Sequence, residues 1–336
     1  MKRHLAALLA GLFSLGLHAC NGLSGHAPVS RSVIRQMERQ NISRAQFDQR
    51  LNQARQDNLR SLPKGRSITL PFLLRSNTPC ITALATGDQE IPMMLDTGAG
   101  RMVLSARTAA KLKMPVVNSS EVQSTMLGVV GKEQGRVGIL SPLKLGTWTL
   151  PAYPCFVRTY ENIAPGMDFP ENILGFDLAE NYCSYLTIDY PRRTATFAFK
   201  QTFRPMPSKN SSSTPFSIKN GVPYIEIQAG KVRWKSIIDT GSFNGVEINE
   251  DIARKLSVQD EGRPVEGMIL IAVGGTVTSD HANIRTVTLP EIKFCGGKYP
   301  QAEVDISPGV PRVGSHVLKD YRVTFDFDRN RVWLEW

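Results

Sequence analysis

Two copies of the triplet Asp-Thr-Gly are the residues best suited to chemistry in this chain of 336 residues. They begin at Asp96 and Asp239, 143 residues apart, and each follows an apolar stretch. Two carboxylates about 3 Å apart cannot both ionise, so they share one proton and can act as a base and an acid. A water held between them can attack an amide carbonyl without a covalent intermediate or a metal. The two triplets therefore predict peptide-bond hydrolysis if the fold brings the aspartates together.

The sequence around the two triplets is repeated as well. Gly131 and Gly274 each lie 35 residues beyond the aspartate of their own copy. The segment 173–175, Ile-Leu-Gly, matches the segment 312–314, Arg-Val-Gly. Such self-similarity is the mark of an internal duplication. We predict an N-terminal lobe over 67–200, a linker rich in Ser and Asn within 201–214, and a C-terminal lobe over 215–336.

Each lobe must position one carboxylate. From residue 67 the chain consists of short β-type runs bounded by Gly, Pro and Asn, which predicts an all-β body. An apolar strand would end at each aspartate, and Gly98 and Gly241 would let the backbone turn sharply beside it. The hydroxyls of Thr97 and Thr240 would then reach the opposite lobe and fix the turn. We expect pseudo-twofold symmetry between the lobes.

The duplicated Asp-Thr-Gly and the hydrophobic-hydrophobic-Gly element resemble the aspartic proteases over about 270 residues. The resemblance implies duplicated acid-protease β-barrel lobes of the pepsin and retropepsin clan, endopeptidase activity, no cofactor and no metal. The short lobes favour the retropepsin-like branch with both units in one chain, so a monomer is expected. The catalytic pair would be Asp96 and Asp239. The supporting loop residues would be Thr97, Gly98, Ala99, Thr240, Gly241 and Ser242.

Two apolar stretches that contain glycine, 126–131 and 269–275, lie where flaps would be in such lobes. The resemblance implies two hairpins that close over an extended peptide and bind its backbone. The alternative is a pair of ordinary hairpins, since Gly in a strand pattern often marks only a bulge. The predicted flap residues are Gly128, Val129, Val130, Gly131, Val273, Gly274 and Gly275.

The residue after the triplet differs between the lobes, Ala99 in the first and Ser242 in the second. In the family, a hydroxyl at this place donates a hydrogen bond to the catalytic carboxylate. Loss of a donor to the charged form raises the pKa of a carboxylate. We therefore hypothesise that Asp239 is the ionised partner and that the activity optimum is less acidic than that of pepsin.

Residues 1–19 resemble a secretory signal, with a basic start and an apolar run over 5–17. The residues before Cys20 resemble a bacterial lipobox, although His18 departs from the usual residue there. Lipidation of Cys20 is favoured over simple secretion, and Asn21 favours the outer membrane. We expect a periplasm-facing lipoprotein whose partners are peptide or protein substrates in the cell envelope.

Residues 20–66 are predicted to form a basic helical spacer or a pro-segment. Ser43 and Gln46 form a capping box, and Phe47 begins a run of helical spacing. Periodicity alone does not distinguish a spacer that docks on the body or on a partner from a segment that covers a cleft. Residues 21–66 hold nine basic and three acidic residues, the larger part of the net charge of +10. The lobes are close to neutral, which favours attraction of the spacer to an anionic membrane surface, or plain solvation, over a nucleic-acid-binding face.

The second interpretation is a pseudo-protease that binds peptides at the envelope without turnover. Gly100-Arg101 would place a cation near the dyad, whereas the intact aspartates favour an enzyme. The sequence holds no Gly-x-Ser-x-Gly, no Cys-His arrangement and no phosphate loop, so nucleophilic and nucleotide chemistries lack support. The four cysteines beyond Cys20 are either buried thiols or structural disulfides of an exported chain.

Overall fold

The structure of the protein is a computed structural model. It describes residues 29–336 except 66, 123, 129, 162 and 164–168. The predicted signal at 1–19, the lipidation candidate Cys20 and the flap residue Val129 lie outside the described residues.

The described residues form an all-β body with six α-helices and a short 3₁₀ turn at Thr86–Asp88. The helices are α1 Arg31–Glu38, α2 Arg44–Arg60, α3 Ala106–Lys111, α4 Phe176–Tyr182, α5 Glu250–Lys255 and α6 Ser315–Leu318.

Fifteen strands lie in the N-terminal part of the described chain. They are β1 Asn41–Ile42, β2 Ser67–Pro71, β3 Leu73–Arg75, β4 Thr78–Ala85, β5 Gln89–Asp96, β6 Val103–Ser105, β7 Val116–Val117, β8 Ser124–Leu127, β9 Lys132–Leu140, β10 Leu143–Leu145, β11 Trp148–Leu150, β12 Tyr153–Arg158, β13 Ile173–Gly175, β14 Tyr185–Asp189 and β15 Thr194–Ala198.

Thirteen strands follow in the C-terminal part. They are β16 Ser211–Pro215, β17 Ser217–Lys219, β18 Val222–Ala229, β19 Val232–Asp239, β20 Val246–Ile248, β21 Arg263–Pro264, β22 Ile269–Ala272, β23 Gly275–Thr278, β24 Arg285–Phe294, β25 Gly297–Ile306, β26 Arg312–Gly314, β27 Arg322–Asp326 and β28 Arg331–Glu335.

The two lobes are built on the same plan. The N-terminal sheet runs β1-β7-β9-β12-β6-β13-β5-β4-β10-β11, with β3 on β4 and β8 on β9. The C-terminal sheet runs β17-β18-β19-β26-β20-β25-β24-β21, and β22 pairs with β23 in a separate hairpin. In each lobe the strand that ends at an aspartate lies between its hairpin partner and a parallel three-residue strand. This arrangement confirms the predicted fold class of duplicated acid-protease lobes.

The residues of β5 show why an apolar strand ends at the first aspartate. Ile91, Met93 and Leu95 are buried, whereas Glu90 before them and Pro92 between the first two are exposed. Side chains alternate between the faces of a strand, so the buried set anchors β5 in the core. Asp96, the residue after Leu95, therefore lies on the opposite face of the strand, at its end.

A six-stranded sheet, β16-β28-β27-β14-β15-β2, joins the lobes. Strands β14 and β27 pair in an antiparallel manner, with Thr187 opposite Thr324. The hydroxyls of these two threonines lie 2.8 Å apart, and the residues occupy matching places in the repeat. A residue that pairs with its own counterpart lies on the symmetry axis, so the pseudo-twofold axis passes between them.

The described part of the basic segment packs on the N-terminal lobe. The capping box predicted from Ser43 and Gln46 is confirmed at the start of α2. Helix α2 contacts β9, β11 and β12, and the amide of Asn58 donates to the carbonyl oxygen of Ala152 at 2.7 Å. Met37 on α1 is fully buried, and β1 pairs in parallel with β7. The segment thus contributes to the core of this lobe.

The predicted linker contains more structure than its polar composition indicates. Residues 211–215 form β16, which pairs along its whole length with β28 at the edge of the six-stranded sheet. The guanidinium of Arg331 donates to the carbonyl oxygen of Ser213 at 3.1 Å. A polar strand suits this place, because its side chains are mostly half-exposed.

The four cysteines of the described chain, Cys80, Cys155, Cys183 and Cys295, are buried free thiols. Of the two interpretations left open by the sequence, the structure therefore shows buried thiols. No helix among the described residues is both long enough and apolar enough to cross a membrane.

Candidate active site

Asp96 is delivered by the end of a central strand. It is the last residue of β5, and Gly175 of β13 lies opposite it in parallel register. The chain turns at once, and the amides of Gly98 and Ala99 donate to Oδ1 of Asp96 at 2.8 and 3.1 Å. The carboxyl group is thereby fixed against its own turn.

Asp239 is delivered in the same way by the second lobe. It ends β19 opposite Gly314 of β26. The amides of Gly241 and Ser242 each donate to its Oδ1 at 3.0 Å. The two carboxyl groups therefore accept equivalent hydrogen bonds from the backbone.

The two threonines of the triplets tie the loops together across the lobes. The hydroxyl of Thr97 donates to the carbonyl oxygen of Ile238 at 2.6 Å and accepts from the amide of Thr240 at 3.1 Å. In return, the hydroxyl of Thr240 donates to the carbonyl oxygen of Leu95 at 2.6 Å and accepts from the amide of Thr97 at 3.0 Å. Both threonines are fully buried. The predicted contact of each hydroxyl with the opposite lobe is present in both directions.

The glycines of the triplets let the loops lie against the opposite carboxyl groups. A Cβ atom at Gly98 would come within 2.4 Å of Cγ of Asp239. A Cβ atom at Gly241 would come within 2.4 Å of Cγ of Asp96. Only a residue without a side chain fits at this distance. The structure thus brings the two predicted catalytic residues together, with each carboxyl group lying against the triplet loop of the other lobe.

Burial and the neighbouring aspartate both act on the pKa of Asp96. Desolvation raises the pKa of Asp96 well above its ordinary range, and the charge and hydrogen bond of Asp239 raise it further. The amides of Gly98 and Ala99 act in the opposite direction and are outweighed. A raised pKa favours the protonated form of a carboxyl group, which is the form that an acid of such a pair needs.

One predicted contact of the supporting loops is wrong. The hydroxyl of Ser242 donates to Oε1 of Glu247 at 3.1 Å, and only the amide of Ser242 reaches Asp239. Glu247 is a buried carboxylate on β20 that also accepts from Asn244 at 3.0 Å and from Ser307 at 2.6 Å. The buried anion offers the hydroxyl a stronger acceptor than a carboxyl group already bound by two amides.

Arg312 supplies the contact that sequence reasoning assigned to Ser242. Its Nη1 lies 3.3 Å from Oδ2 of Asp239, and its Nε lies 3.7 Å from Oε1 of Glu247. The side chain is only 11% exposed. The sequence contained a signal for this residue, because Arg312 stands where the matched element of the first lobe has the apolar Ile173.

The residues predicted as flaps lie in two hairpins whose tips meet. Gly128, Val130 and Gly131 belong to the turn between β8 and β9, and the amide of Gly128 donates to the carbonyl oxygen of Gly131 at 2.9 Å. Val273 and Gly274 form the turn between β22 and β23, and Gly275 begins β23. Gly274 has a φ of 98°, and a Cβ atom there would lie 2.5 Å from the amide nitrogen of Gly131. Substrate binding by these residues stays a prediction.

A buried ion pair connects the two hairpins. The guanidinium of Arg158 lies 2.5 Å from Oε2 of Glu133 on β9, and both side chains are more than nine-tenths buried. The same Nη2 donates to the carbonyl oxygen of Ala272 in the other hairpin at 3.1 Å. The first hairpin is therefore held to the second by a charge-assisted contact.

Arg101, which the second interpretation placed near the dyad, is exposed and donates to the carbonyl oxygen of Gly100 at 2.9 Å. In the described part of the chain, the cation that contacts a dyad carboxyl group is Arg312.

The chain is similar to known proteins in part of its sequence and in its fold. Residues 82–178, which contain the first triplet, match the family model described as aspartyl protease. The structure resembles basic 7S globulin from soybean, with a TM-score of 0.51 and 11% identity over 80% of this chain and 94% of that one. It is also similar to an aspartic proteinase from Irpex lacteus, with a TM-score of 0.49 and 11% identity over 80% of this chain and 96% of that one. No curated protein matches the chain in sequence.

The fold and the paired Asp-Thr-Gly loops define an acid-protease architecture. The resemblance to the aspartic proteases, predicted from the duplicated triplets, is confirmed.

Proposed function

We propose that the protein is an aspartic endopeptidase that hydrolyses peptide bonds with a water activated between Asp96 and Asp239. The observation that carries the proposal is the meeting of the two Asp-Thr-Gly loops, with Gly98 against the carboxyl group of Asp239 and Gly241 against that of Asp96. The reciprocal bonds of Thr97 and Thr240 hold this contact in place. A single-proton pair of this kind provides an acid and a base at one point.

The proposed reaction starts with a proton on Asp96 and a charge on Asp239. The water gives a proton to Asp239 while its oxygen attacks the carbonyl carbon, and Asp96 gives its proton to the carbonyl oxygen. The tetrahedral diol then collapses: the C–N bond breaks as the nitrogen takes the proton from Asp239. Asp96 recovers a proton from a hydroxyl of the diol. The products are a carboxylic acid and an amine, and the pair returns to its starting state.

Extended peptides are the proposed substrates. The two hairpins carry unpaired strand edges toward their tips, and an extended peptide can add to such edges through its backbone. The close approach of Gly128 to Val273, where a Cβ atom at Gly128 would lie 2.5 Å from Cβ of Val273, supports closure of the two hairpins on each other. Closure excludes water from the reacting bond.

The test is to incubate the full-length protein with a mixed peptide library and to identify cleavage products by mass spectrometry over a wide pH range. Asp96→Asn and Asp239→Asn should each lower kcat/KM about 10³-fold, because each removes the acid or the base. Asp177→Asn is the matched control. Asp177 is another buried aspartate, and its carboxyl group accepts a hydrogen bond from Tyr153 at 2.9 Å.

Cleavage that survives either dyad substitution would contradict the mechanism. Peptides that bind without cleavage at any pH would favour the alternative, a peptide-binding pseudo-protease.

We propose further that the protein acts at the cell envelope as a lipoprotein modified at Cys20. The sequence features that support this are the apolar run before Cys20 and the basic segment 21–66. Cys20→Ala should abolish incorporation of labelled fatty acid and move the protein from the membrane to the soluble fraction. Equal labelling of both proteins would contradict lipidation, and the peptide-cleavage test is independent of this result.

A further inference from the structure

The position of Arg312 is set by strand register. In β26 it pairs with Ile237 of β19 on one side and with Glu247 of β20 on the other. Asp239 follows Ile237 by two residues, so its carboxyl group lies within reach of a long side chain from the start of β26. The result is the 3.3 Å contact between Nη1 of Arg312 and Oδ2 of Asp239.

The first lobe has apolar residues where the second has this ion pair. Ile173 begins β13 as Arg312 begins β26, and Leu104, in the middle of β6, matches Glu247 in the middle of β20. Leu104 is fully buried. The two carboxyl groups of the dyad therefore have the same backbone donors and different side-chain surroundings.

The charges around the dyad are few. Arg312 contacts Asp239 directly, and Glu247 lies on the far side of that guanidinium. Tyr190 also faces both aspartates, but its hydroxyl is bound to Ser315 at 2.8 Å and burial raises the pKa of the phenol, so it stays neutral. Among the described residues, Arg312 is thus the cation in contact with the pair.

Glu247 keeps Arg312 in this orientation. It is 3% exposed and is fixed by hydrogen bonds from Ser242, Asn244 and Ser307. Nε and Nη2 of Arg312 are both buried without a hydrogen-bond partner, and Nε lies 3.7 Å from Oε1 of Glu247. The hydrogen bond of Nη1 to Asp239 is therefore the side-chain hydrogen bond that this buried guanidinium makes, which packing alone does not explain.

We propose that Arg312 is a positioning residue that holds Asp239 as the carboxylate and so places the shared proton on Asp96. The inference rests on the proposed peptidase function, since it assigns the base and the acid of that reaction. An opposite charge within about 4–6 Å favours the charged form of a carboxyl group, whereas the apolar surroundings of Asp96 favour the neutral form. The direction of proton transfer is then fixed before substrate binds.

This role predicts a specific pH behaviour. The active state carries one proton on the pair, so its acidic limit is the pH at which Asp239 becomes protonated. Removal of the cation makes protonation of Asp239 easier, so this limit moves to higher pH. Removal of Glu247 takes away an anion, so the limit moves to lower pH or stays in place. A residue with a structural role alone would lower activity without moving the limit.

The variants are Arg312→Lys, Glu247→Gln and the double substitution of Arg312→Ile with Glu247→Gln. Ile already occupies the matched place at 173, and Gln keeps hydrogen-bonding capacity at 247, so the double variant leaves no unpaired buried charge. In the kcat/KM profile, we expect the acidic limb of the double variant to rise by about one pH unit. Arg312→Lys should keep the limb within about 0.3 units, because the charge remains.

A control for the loss of a buried arginine is Arg322→Ile. Arg322 pairs with Asp189 and Glu335 in the six-stranded sheet, away from the dyad. Its substitution should lower stability and leave the acidic limb unmoved. An acidic limb that is the same in the wild-type protein and in the double variant overturns the inference.

A second readout does not need activity. The carboxyl carbons of aspartate can be labelled with ¹³C and titrated by NMR, with the dyad signals assigned by Asp96→Asn and Asp239→Asn. We expect Asp239 to be ionised and Asp96 protonated at neutral pH in the wild-type protein, and the difference to shrink in the double variant. If that pattern is found in a protein that cleaves nothing, the proposed function fails and the role of Arg312 stands. If peptides are cleaved and the pattern is absent, the proposed function stands and the role of Arg312 fails.

Discussion

The two lobes agree in backbone and differ in charge at the point where they meet. In both, a strand ends at an aspartate, two amides hold Oδ1, and a threonine reaches the opposite chain segment. Behind Asp96 the first lobe places Ile173 and Leu104, whereas behind Asp239 the second lobe places Arg312 and Glu247. A duplicated fold supplies two equivalent carboxyl groups, and the residues behind them make the groups unequal. Such an inequality would fix which of the two groups acts as the base and which as the acid.

The largest expected effect on stability comes from removing the cation of the Arg312–Glu247 ion pair in the second lobe. Arg312→Ile gives the second lobe the residue of the first but leaves Glu247 as a buried charge without its cation. We expect a loss of about 4 kcal/mol in the free energy of unfolding, measured by urea denaturation. Addition of Glu247→Gln should restore most of it, since the uncompensated charge is then gone. A single variant as stable as the wild-type protein would contradict this account of the pair.

A second difference between the lobes concerns Asp177 and His316, which follow the matching glycines. Asp177 is buried, and desolvation raises its pKa from 3.8 to about 6, whereas His316 is exposed. The folded state holds the proton of Asp177 more tightly than the unfolded state. Its contribution to stability is therefore full below about pH 3.8 and is lost as the pH rises through about 6.

We expect Asp177→Asn to remove this loss, because the variant has no carboxyl group to titrate. The unfolding free energy of the variant minus that of the wild-type protein should therefore be about 3 kcal/mol larger at pH 7 than at pH 4. Chemical denaturation at both pH values measures it. His316→Asn is the matched control and should change stability by less than about 0.5 kcal/mol at either pH. A gain of equal size at both pH values would exclude the titration of Asp177 as its cause.

Substitution of the two threonines tests whether the hydrogen bonds that the lobes exchange are equivalent. Thr97→Val removes a hydroxyl and leaves the carbonyl of Ile238 and the amide of Thr240 without partners, and Thr240→Val does the same in reverse. We expect each substitution to lower the free energy of unfolding by about 2 kcal/mol, and the two losses to be equal. Thermal denaturation followed by circular dichroism measures it. If the two losses differ by more than about 1 kcal/mol, the reciprocal threonine hydrogen bonds are unequal in energy although their distances are nearly the same.

The smallest expected effect is that of Ser242→Ala, which gives the second lobe the residue that the first has at Ala99. The hydroxyl donates to Glu247, which keeps its bonds from Asn244 and Ser307. We expect a loss of about 1 kcal/mol or less and an acidic limb of the pH–rate profile that does not move. A limb that rises as far as in the Arg312 double variant would restore the hypothesis of a serine donor to Asp239.

The parts of the site that follow from the sequence are those whose chemistry is local. Asp96, Thr97 and Gly98 are adjacent in the chain, and the repeat of the triplet around Asp239 gives the pairing of the lobes. The alternation of buried and exposed residues likewise predicts β5, because that pattern depends only on neighbours along the strand.

The parts that the sequence did not yield depend on register between distant strands. Glu247 and Arg312 are 65 residues apart, and only the pairing of β20 with β26 makes them neighbours. Arg312 was visible as a departure from Ile173, but its partners were not. The strand at 211–215 was missed for a related reason, since its polar residues acquire a strand conformation only from the pairing with β28.

The six-stranded sheet has a consequence for synthesis of the chain. Each lobe contributes three of its strands, β2, β15 and β14 from one and β27, β28 and β16 from the other. A nascent N-terminal lobe therefore presents the uncovered edge of β14 until β27 arrives, and uncovered edges are templates on which chains aggregate. Because Thr187 meets its own counterpart in β27, a second nascent chain offers nearly the same complement. We expect the isolated lobe to self-associate through this edge, which β27 covers in the complete fold.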